Sequence, residues 1–267
     1  MRRLLLLAFG LSVSVLLLSV VHQHANQSTS GTYLGIQTQS VSGAIVPHHM
    51  LAADLIDDLL ILLKDQQPET IILMGPNHFE RGEFPVITSL NQWETPDGIL
   101  TPNKEMIDNL ITSGIVYRDD EIVKQEHSIY PLTPLIKKRL PNTTIVPLVL
   151  SNYMGKDEIV ALSNTLSERA NDKTVIVAAV DFSHYLKLSE AEKNDEITIS
   201  YITENNVDQI VTLNNAYLDS PASIAVLMLV MEKQGTQATV VNHSNSGEML
   251  SNPNAETTSH FEVVYYK

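Results

Sequence analysis

The feature that most constrains this chain is a pair of apolar runs with no polar alternation, Ile71-Ile72-Leu73-Met74 and Val175-Ile176-Val177-Ala178-Ala179-Val180. Both have strand length, and neither offers a polar face, so each must be covered on both sides. The intervening sequence supplies the cover. Leu51 to Leu63 carries apolar residues at helical spacing, with Asp54, Asp57 and Asp58 on the other side. Further helices are expected over Asn103 to Thr112, closed by Gly114, and over His127 to Leu140, interrupted early by Pro131 and Pro134. Others are expected over Gly155 to Ala170, Ser189 to Thr203, Asn206 to Leu213 and Pro221 to Gln234. Additional strands are expected over Gly43 to Val46, Phe84 to Ser89, Thr143 to Leu150, Ala238 to Asn242 and Phe261 to Tyr266. Pro147 suggests that its strand is an edge or carries a bulge. Strands alternating with helices predict an α/β fold: one domain with a central, mostly parallel or mixed sheet flanked by helices.

The N-terminus has a different character. Arg2-Arg3 precedes an apolar run from Leu4 to Val21, broken only by Gly10, Ser12, Ser14 and Ser19. A basic start before a long apolar stretch is an export signal. Residues 1–25 therefore read as a signal peptide or a signal-anchor helix. The run approaches the ~20 residues of a membrane span, and Gln23 is a poor −3 residue for cleavage after Ala25, which favours the anchor. Residues 26–42 read as a polar tether, and 43–267 as the folded domain. The expected location is extracytoplasmic, either membrane-anchored through the N-terminal helix or secreted.

The chain has 267 residues, with 31 acidic and 17 basic side chains and a formal net charge of −14. That balance argues against nucleic acid as a partner, since phosphate binding needs clustered Lys and Arg. Cysteine is absent, so no thiolate can act as nucleophile or ligand. A bound metal would have to be held by His, carboxylate, amide or backbone groups.

Nine histidines are present, and three of them follow apolar strands within short polar loops. These are Ala44-Ile45-Val46-Pro47-His48-His49, Leu73-Met74-Gly75-Pro76-Asn77-His78 and Ala179-Val180-Asp181-Phe182-Ser183-His184. Open α/β sheets bind ligands outside the carboxyl ends of their strands, where adjacent strands would bring such residues together. Glu126-His127-Ser128 begins one helical segment, and His243-Ser244-Asn245-Ser246-Gly247-Glu248 follows a late strand. Imidazole and carboxylate together suit Fe(II), Mn(II) and Zn(II). A further histidine beside them can move protons near neutral pH.

Pro47-His48, Gly75-Pro76-Asn77-His78, Glu126-His127-Ser128-Ile129, Asp181-Phe182-Ser183-His184 and Asn245-Ser246-Gly247-Glu248 occur in an order that resembles the Memo-like family, also called AmmeMemoRadiSam system protein B. The resemblance runs from about Gly43 to the C-terminus. It implies a fold similar to the class III extradiol, LigB-type, non-heme iron dioxygenases. It further implies His48 and His78 as metal ligands, Glu248 at or beside the third-ligand position, His184 as the acid/base histidine, and Asp181 and His127 lining the site. Three departures from the family pattern are visible. His49-Met50-Leu51 stands where Ala-Gly-Tyr is usual, His243 where tyrosine is common, and Met249 where animal members carry cysteine.

The resulting expectation is a dioxygenase-related protein with one divalent metal, Fe(II) first and zinc as the alternative, acting on an unidentified small oxygen-bearing substrate. Two rival readings remain. One is a non-catalytic metal-binding or interaction protein that keeps the fold; the other is a zinc-dependent hydrolase using metal-activated water.

Overall fold

A computed structural model describes residues 39–267 of the chain. The export segment and tether therefore lie outside the described residues, except for the last few tether positions. Among the described residues no helix is long and apolar enough to cross a membrane.

The strands are β1 (Val41–Val46), β2 (Thr70–Pro76), β3 (Val86–Thr88), β4 (Trp93–Thr95), β5 (Gly98–Leu100), β6 (Tyr117–Arg118), β7 (Thr144–Leu150), β8 (Thr174–Ala179), β9 (His184–Leu186), β10 (Gln237–Asn245) and β11 (Thr257–Tyr266). The helices are α1 (Ala53–Lys64), α2 (Lys104–Thr112), α3 (Asp120–Gln125), α4 (Thr133–Arg139), α5 (Lys156–Arg169), α6 (Leu188–Thr203), α7 (Val207–Ile210), α8 (Pro221–Lys233) and α9 (Ser246–Met249).

The main sheet runs β10-β11-β1-β8-β2-β7-β3-β6, with β9 paired to β11. Its centre, β1-β8-β2-β7, is parallel. β11 and β10 extend one side in antiparallel fashion, and β3 joins β7 antiparallel on the other. The expected mixed α/β sheet is therefore present. β4 and β5 form a separate hairpin.

The continuous apolar runs are divided between two cores by strand alternation. Ile72, Met74, Ile176 and Ala178 face one side, packed with α2, α5 and the almost wholly buried α8. Ile71, Leu73, Val175 and Val177 face the other, packed with Leu59, Leu60 and Leu63 of α1, Val123 of α3 and Ile136 of α4. Each such side chain taken fully from water contributes about 1.5–3 kcal/mol, so neither face could be left bare.

Two expectations need correction. Pro147 lies in an interior strand, between β2 and β3. It is tolerated because β3 ends beside it at Thr88, whose hydroxyl donates to the Pro147 carbonyl at 2.7 Å; the missing N–H falls where the ladder has stopped. The helix expected from His127 begins instead at Thr133, after a 3-10 turn over Tyr130–Leu132. Pro131 and Pro134 sit in first turns, where proline's missing donor costs nothing. This late start leaves Glu126 and His127 in a loop beside the sheet.

Candidate metal centre

β1, β8 and β2 are adjacent and parallel, so their carboxyl ends open on one edge. His48 lies two residues beyond β1, Asp181 two beyond β8, and His78 two beyond β2. The rings of His48 and His78 meet edge to face with centroids 5.0 Å apart. The sequence spacing is thus converted into contact by strand order alone.

Backbone and carboxylate groups then fix each ring. His48 Nδ1 lies 3.1 Å from the Ala179 carbonyl, which can only accept, so Nδ1 carries the proton. Asp181 Oδ1 accepts from the backbone N–H groups of His48 at 3.1 Å and His49 at 3.4 Å, holding the β1 loop. His78 Nδ1 donates to Glu126 Oε1 at 2.7 Å, and the His78 backbone N–H donates to Glu126 Oε2 at 3.1 Å. Glu126 is itself buried and accepts from Ser128 N–H at 3.2 Å. The Ser128 hydroxyl donates to the Pro76 carbonyl at 3.0 Å.

With both Nδ1 atoms engaged as donors, the neutral rings present lone pairs at Nε2. These face a third acceptor. Asp219 Oδ2 lies 3.2 Å from His48 Nε2 and 3.6 Å from His78 Nε2. Asp219 is 4% exposed, and neither of its carboxylate oxygens has a hydrogen-bond partner. A buried carboxylate facing two imidazole lone pairs is unfavourable unless a cation lies among them, either a proton or a metal. Ligand atoms of His48, Asp181 and Asp219 lie within 4.8 Å of one another, as do those of His48, His78 and His127. The orphaned carboxylate and the N/O donor set fit a divalent ion, and the Nδ1 partners are those that orient metal-binding histidines.

The electrostatics agree with an electron-rich pocket. Burial opposes a charge on His78, yet the Asp219 and Glu126 carboxylates outweigh it and raise its pKa to about 9. Burial likewise opposes the charged form of Glu126, but His78 holds its carboxyl below the usual range. Asp181 is also lowered, against its burial, by His48, His260, His184 and His49. His127 stacks on His78 with centroids 3.6 Å apart and is half exposed. Burial, then the neighbouring His78, lowers its pKa and favours its neutral form.

The remaining expected residues are placed differently. His184 opens β9, its N–H donating to the Asn215 carbonyl at 3.1 Å, with a buried Nδ1 that has no partner. Glu248 is exposed on α9 and joins neither group of potential ligands. The Asn245-Ser246-Gly247 segment before it builds a turn: Asn245 caps Gly247 N–H at 2.7 Å and binds Ser259 at 2.9 Å. A Cβ on Gly247 would meet Thr257 at 2.6 Å. Asp219 is the carboxylate that approaches both histidines, while Asp181 Oδ2 also lies 3.4 Å from His48 Nε2 and Glu248 is grouped with none of them.

Asp219 escaped notice because Asp219-Ser220-Pro221 reads as the start of a helix, and Ser220 does cap α8. Only the return of Leu218 against Phe182 and the bond from Asp219 N–H to the Asp181 carbonyl, 3.1 Å, bring it to the site. His260 was also missed as a partner. It lies inside β11, fully buried, with Nε2 3.1 Å from His49 Nδ1. Burial lowers its pKa to about 4.

Residues 16–259 match the family model described as Memo-like protein. A MEMO1 family protein of Methanosarcina barkeri is 30% identical over 231 residues, covering 83% of this chain and 86% of that protein. A MEMO1 family protein of Thermoplasma volcanium is 29% identical over 211 residues, covering 76% and 74%. The crystal structure of an uncharacterized protein from Escherichia coli K12 superposes with a TM-score of 0.57 at 12% identity, covering 83% of this chain and 99% of that one, a likeness of fold alone.

Proposed function

The chain belongs to the Memo-like protein family, and from that premise and the site's geometry we propose that it is a dioxygenase-related protein holding one Fe(II) between His48, His78 and Asp219. The observation that carries this reading is the buried Asp219 carboxylate, without a hydrogen-bond partner, facing two Nε2 atoms whose opposite nitrogens are already bonded. Two histidines and one carboxylate on one side of an ion leave positions open for a small oxygen-bearing substrate and O2.

The chain's own residues supply the rest. Glu126 and the Ala179 carbonyl hold the two rings in the ligating tautomer. Asp181 anchors the loop that carries His48. His127, neutral and stacked on His78 at the open side, is placed to take or give a proton at a bound substrate. His184 keeps the acid/base role that the family resemblance implies, with Asp181 orienting the site. His127→Gln and His184→Gln separate these two assignments: the true proton carrier loses the alkaline or acid limb of its pH–rate profile, while the other variant retains it.

The test is metal analysis of protein purified without oxygen, followed by oxygen uptake with catechol-like substrates. Stoichiometric Fe(II) lost in His48→Ala plus His78→Ala, with substrate-dependent oxygen uptake, supports the proposal. Metal binding without oxygen uptake would favour the non-catalytic reading, and zinc retention with oxygen-independent ester or amide cleavage the hydrolase. We also carry forward the export reading of residues 1–25, with the domain outside the cytoplasmic membrane. Protease digestion of intact cells tests it: cleavage of the domain supports an outward location, and protection until lysis contradicts it.

A further inference from the structure

A second group of acidic and imidazole side chains lies on the other face of the sheet. In β11, His260 and Phe261 are neighbours and so point to opposite faces. His260 contacts His49 on the face that includes the His48 loop. Phe261 faces away, and His243 of β10, its register partner, lays its ring against it with centroids 4.3 Å apart.

On this face α6 presents Glu192, Asp195 and Glu196, which with His243, Phe261 and Ile199 line a cavity of about 490 Å³. The three acidic residues fall at i, i+3 and i+4, on one side of the helix, where like charges repel. No Lys or Arg lines the cavity to offset them. Asp195 is the decisive residue. It is 3% exposed, its Oδ1 accepts from the Ser183 hydroxyl at 2.7 Å, and its buried Oδ2 has no hydrogen-bond partner. His243 Nε2 lies 3.8 Å from that oxygen, too far for a hydrogen bond but close to the separation of two ligands on one ion.

We propose that Asp195 Oδ2 and His243 Nε2, with Glu192 and Glu196 closing from α6, form a second divalent-metal site suited to Zn(II), separate from the His48 centre. The mixed imidazole and carboxylate donors are those zinc accepts. The ion would satisfy the orphaned Asp195 oxygen and relieve the repulsion along α6. The second site is joined to the first through Ser183, whose hydroxyl donates to Asp195 and which lies between Asp181 and His184 in the chain.

The experiment is Zn(II) titration of the full chain, stripped of metal, with binding read by calorimetry and by elemental analysis after dialysis. Asp195→Asn and His243→Ala are each expected to bind one equivalent fewer than wild type. His48→Ala plus His78→Ala should lose a different equivalent, and the combination of both sets should lose both. Glu192→Gln plus Glu196→Gln should keep the fold and weaken the second equivalent by about tenfold. The His243 side chain is 36% exposed against 5% for Asp195, so its variant reads the site even if Asp195→Asn disturbs packing. Unchanged stoichiometry and affinity in His243→Ala and in the double glutamine variant would overturn the proposal. Loss confined to the His48 and His78 variant would do the same while leaving the first site standing, and loss confined to the His243 set would do the reverse.

Discussion

At the scale of single residues, the site works through protons already committed elsewhere. His78 Nδ1–H donates to Glu126, and His48 Nδ1–H donates to the Ala179 carbonyl. Glu126→Gln is therefore expected to weaken metal binding about 10–100-fold with every ligand still present. It should also bring the His78 pKa down from about 9, measurable by NMR titration of the metal-free protein. The raised pKa has a direct consequence for metal uptake. Below pH 9 His78 holds a proton that the metal must displace, so apparent affinity should rise about tenfold per pH unit toward 9 and then level. An affinity independent of pH between 6 and 9 would contradict displacement of a tightly held His78 proton by the metal. The meeting of His48 and His78 was legible in the sequence because each follows a buried strand directly. Asp219 was not, because its convergence depends on a return of the chain from Asn215 to Leu218 against the loop after β8, and no local pattern encodes that return. Glu248 drew attention through its motif, whose buried members Asn245 and Gly247 shape a turn.

At the scale of elements, the parallel strands β1, β8 and β2 bring His48, Asp181 and His78 to one edge, and the loop from Glu126 to Ser128 locks His78. That loop packs directly on β2: a Cβ on Gly75 would lie 2.5 Å from Ser128 Cβ and Oγ. Gly75→Ala should therefore displace Ser128 and with it Glu126. The expected cost is about 1–3 kcal/mol in denaturant unfolding, accompanied by weaker metal binding, whereas an equally destabilising change far from the loop should leave metal affinity intact. Strand and helix existence was readable from apolar period and length, and the two strongest runs became β2 and β8 as expected. Boundaries around proline were not. Pro147 reads as an edge signal until one sees that β3 stops beside it, and Pro131 with Pro134 delays α4 until Thr133. Both outcomes rest on where a neighbouring element ends, which is a tertiary fact.

At the scale of the whole molecule, charge is distributed so that carboxylates are buried where a cation or a proton can meet them. Glu262 in β11 is a case apart from the metal centre. It is 2% exposed, its Oε2 has no partner, and burial, with Asp58 nearby, raises its pKa from 4.5 to about 7. The folded state therefore holds this proton more tightly than the unfolded chain. Stability from it is fully present below pH 4.5, declines as pH rises toward 7, and stays lost above. The expected loss is on the order of 3 kcal/mol. Glu262→Gln should remove this slope and raise the melting temperature at pH 8; a variant no more stable there than wild type would contradict it. The central claim concerns the buried Asp219 carboxylate, and anaerobic Fe(II) titration of Asp219→Asn beside Glu248→Gln tests it most directly. The account predicts that Asp219→Asn loses the His48- and His78-dependent equivalent while Glu248→Gln binds as wild type; tight binding in Asp219→Asn with loss in Glu248→Gln would contradict it.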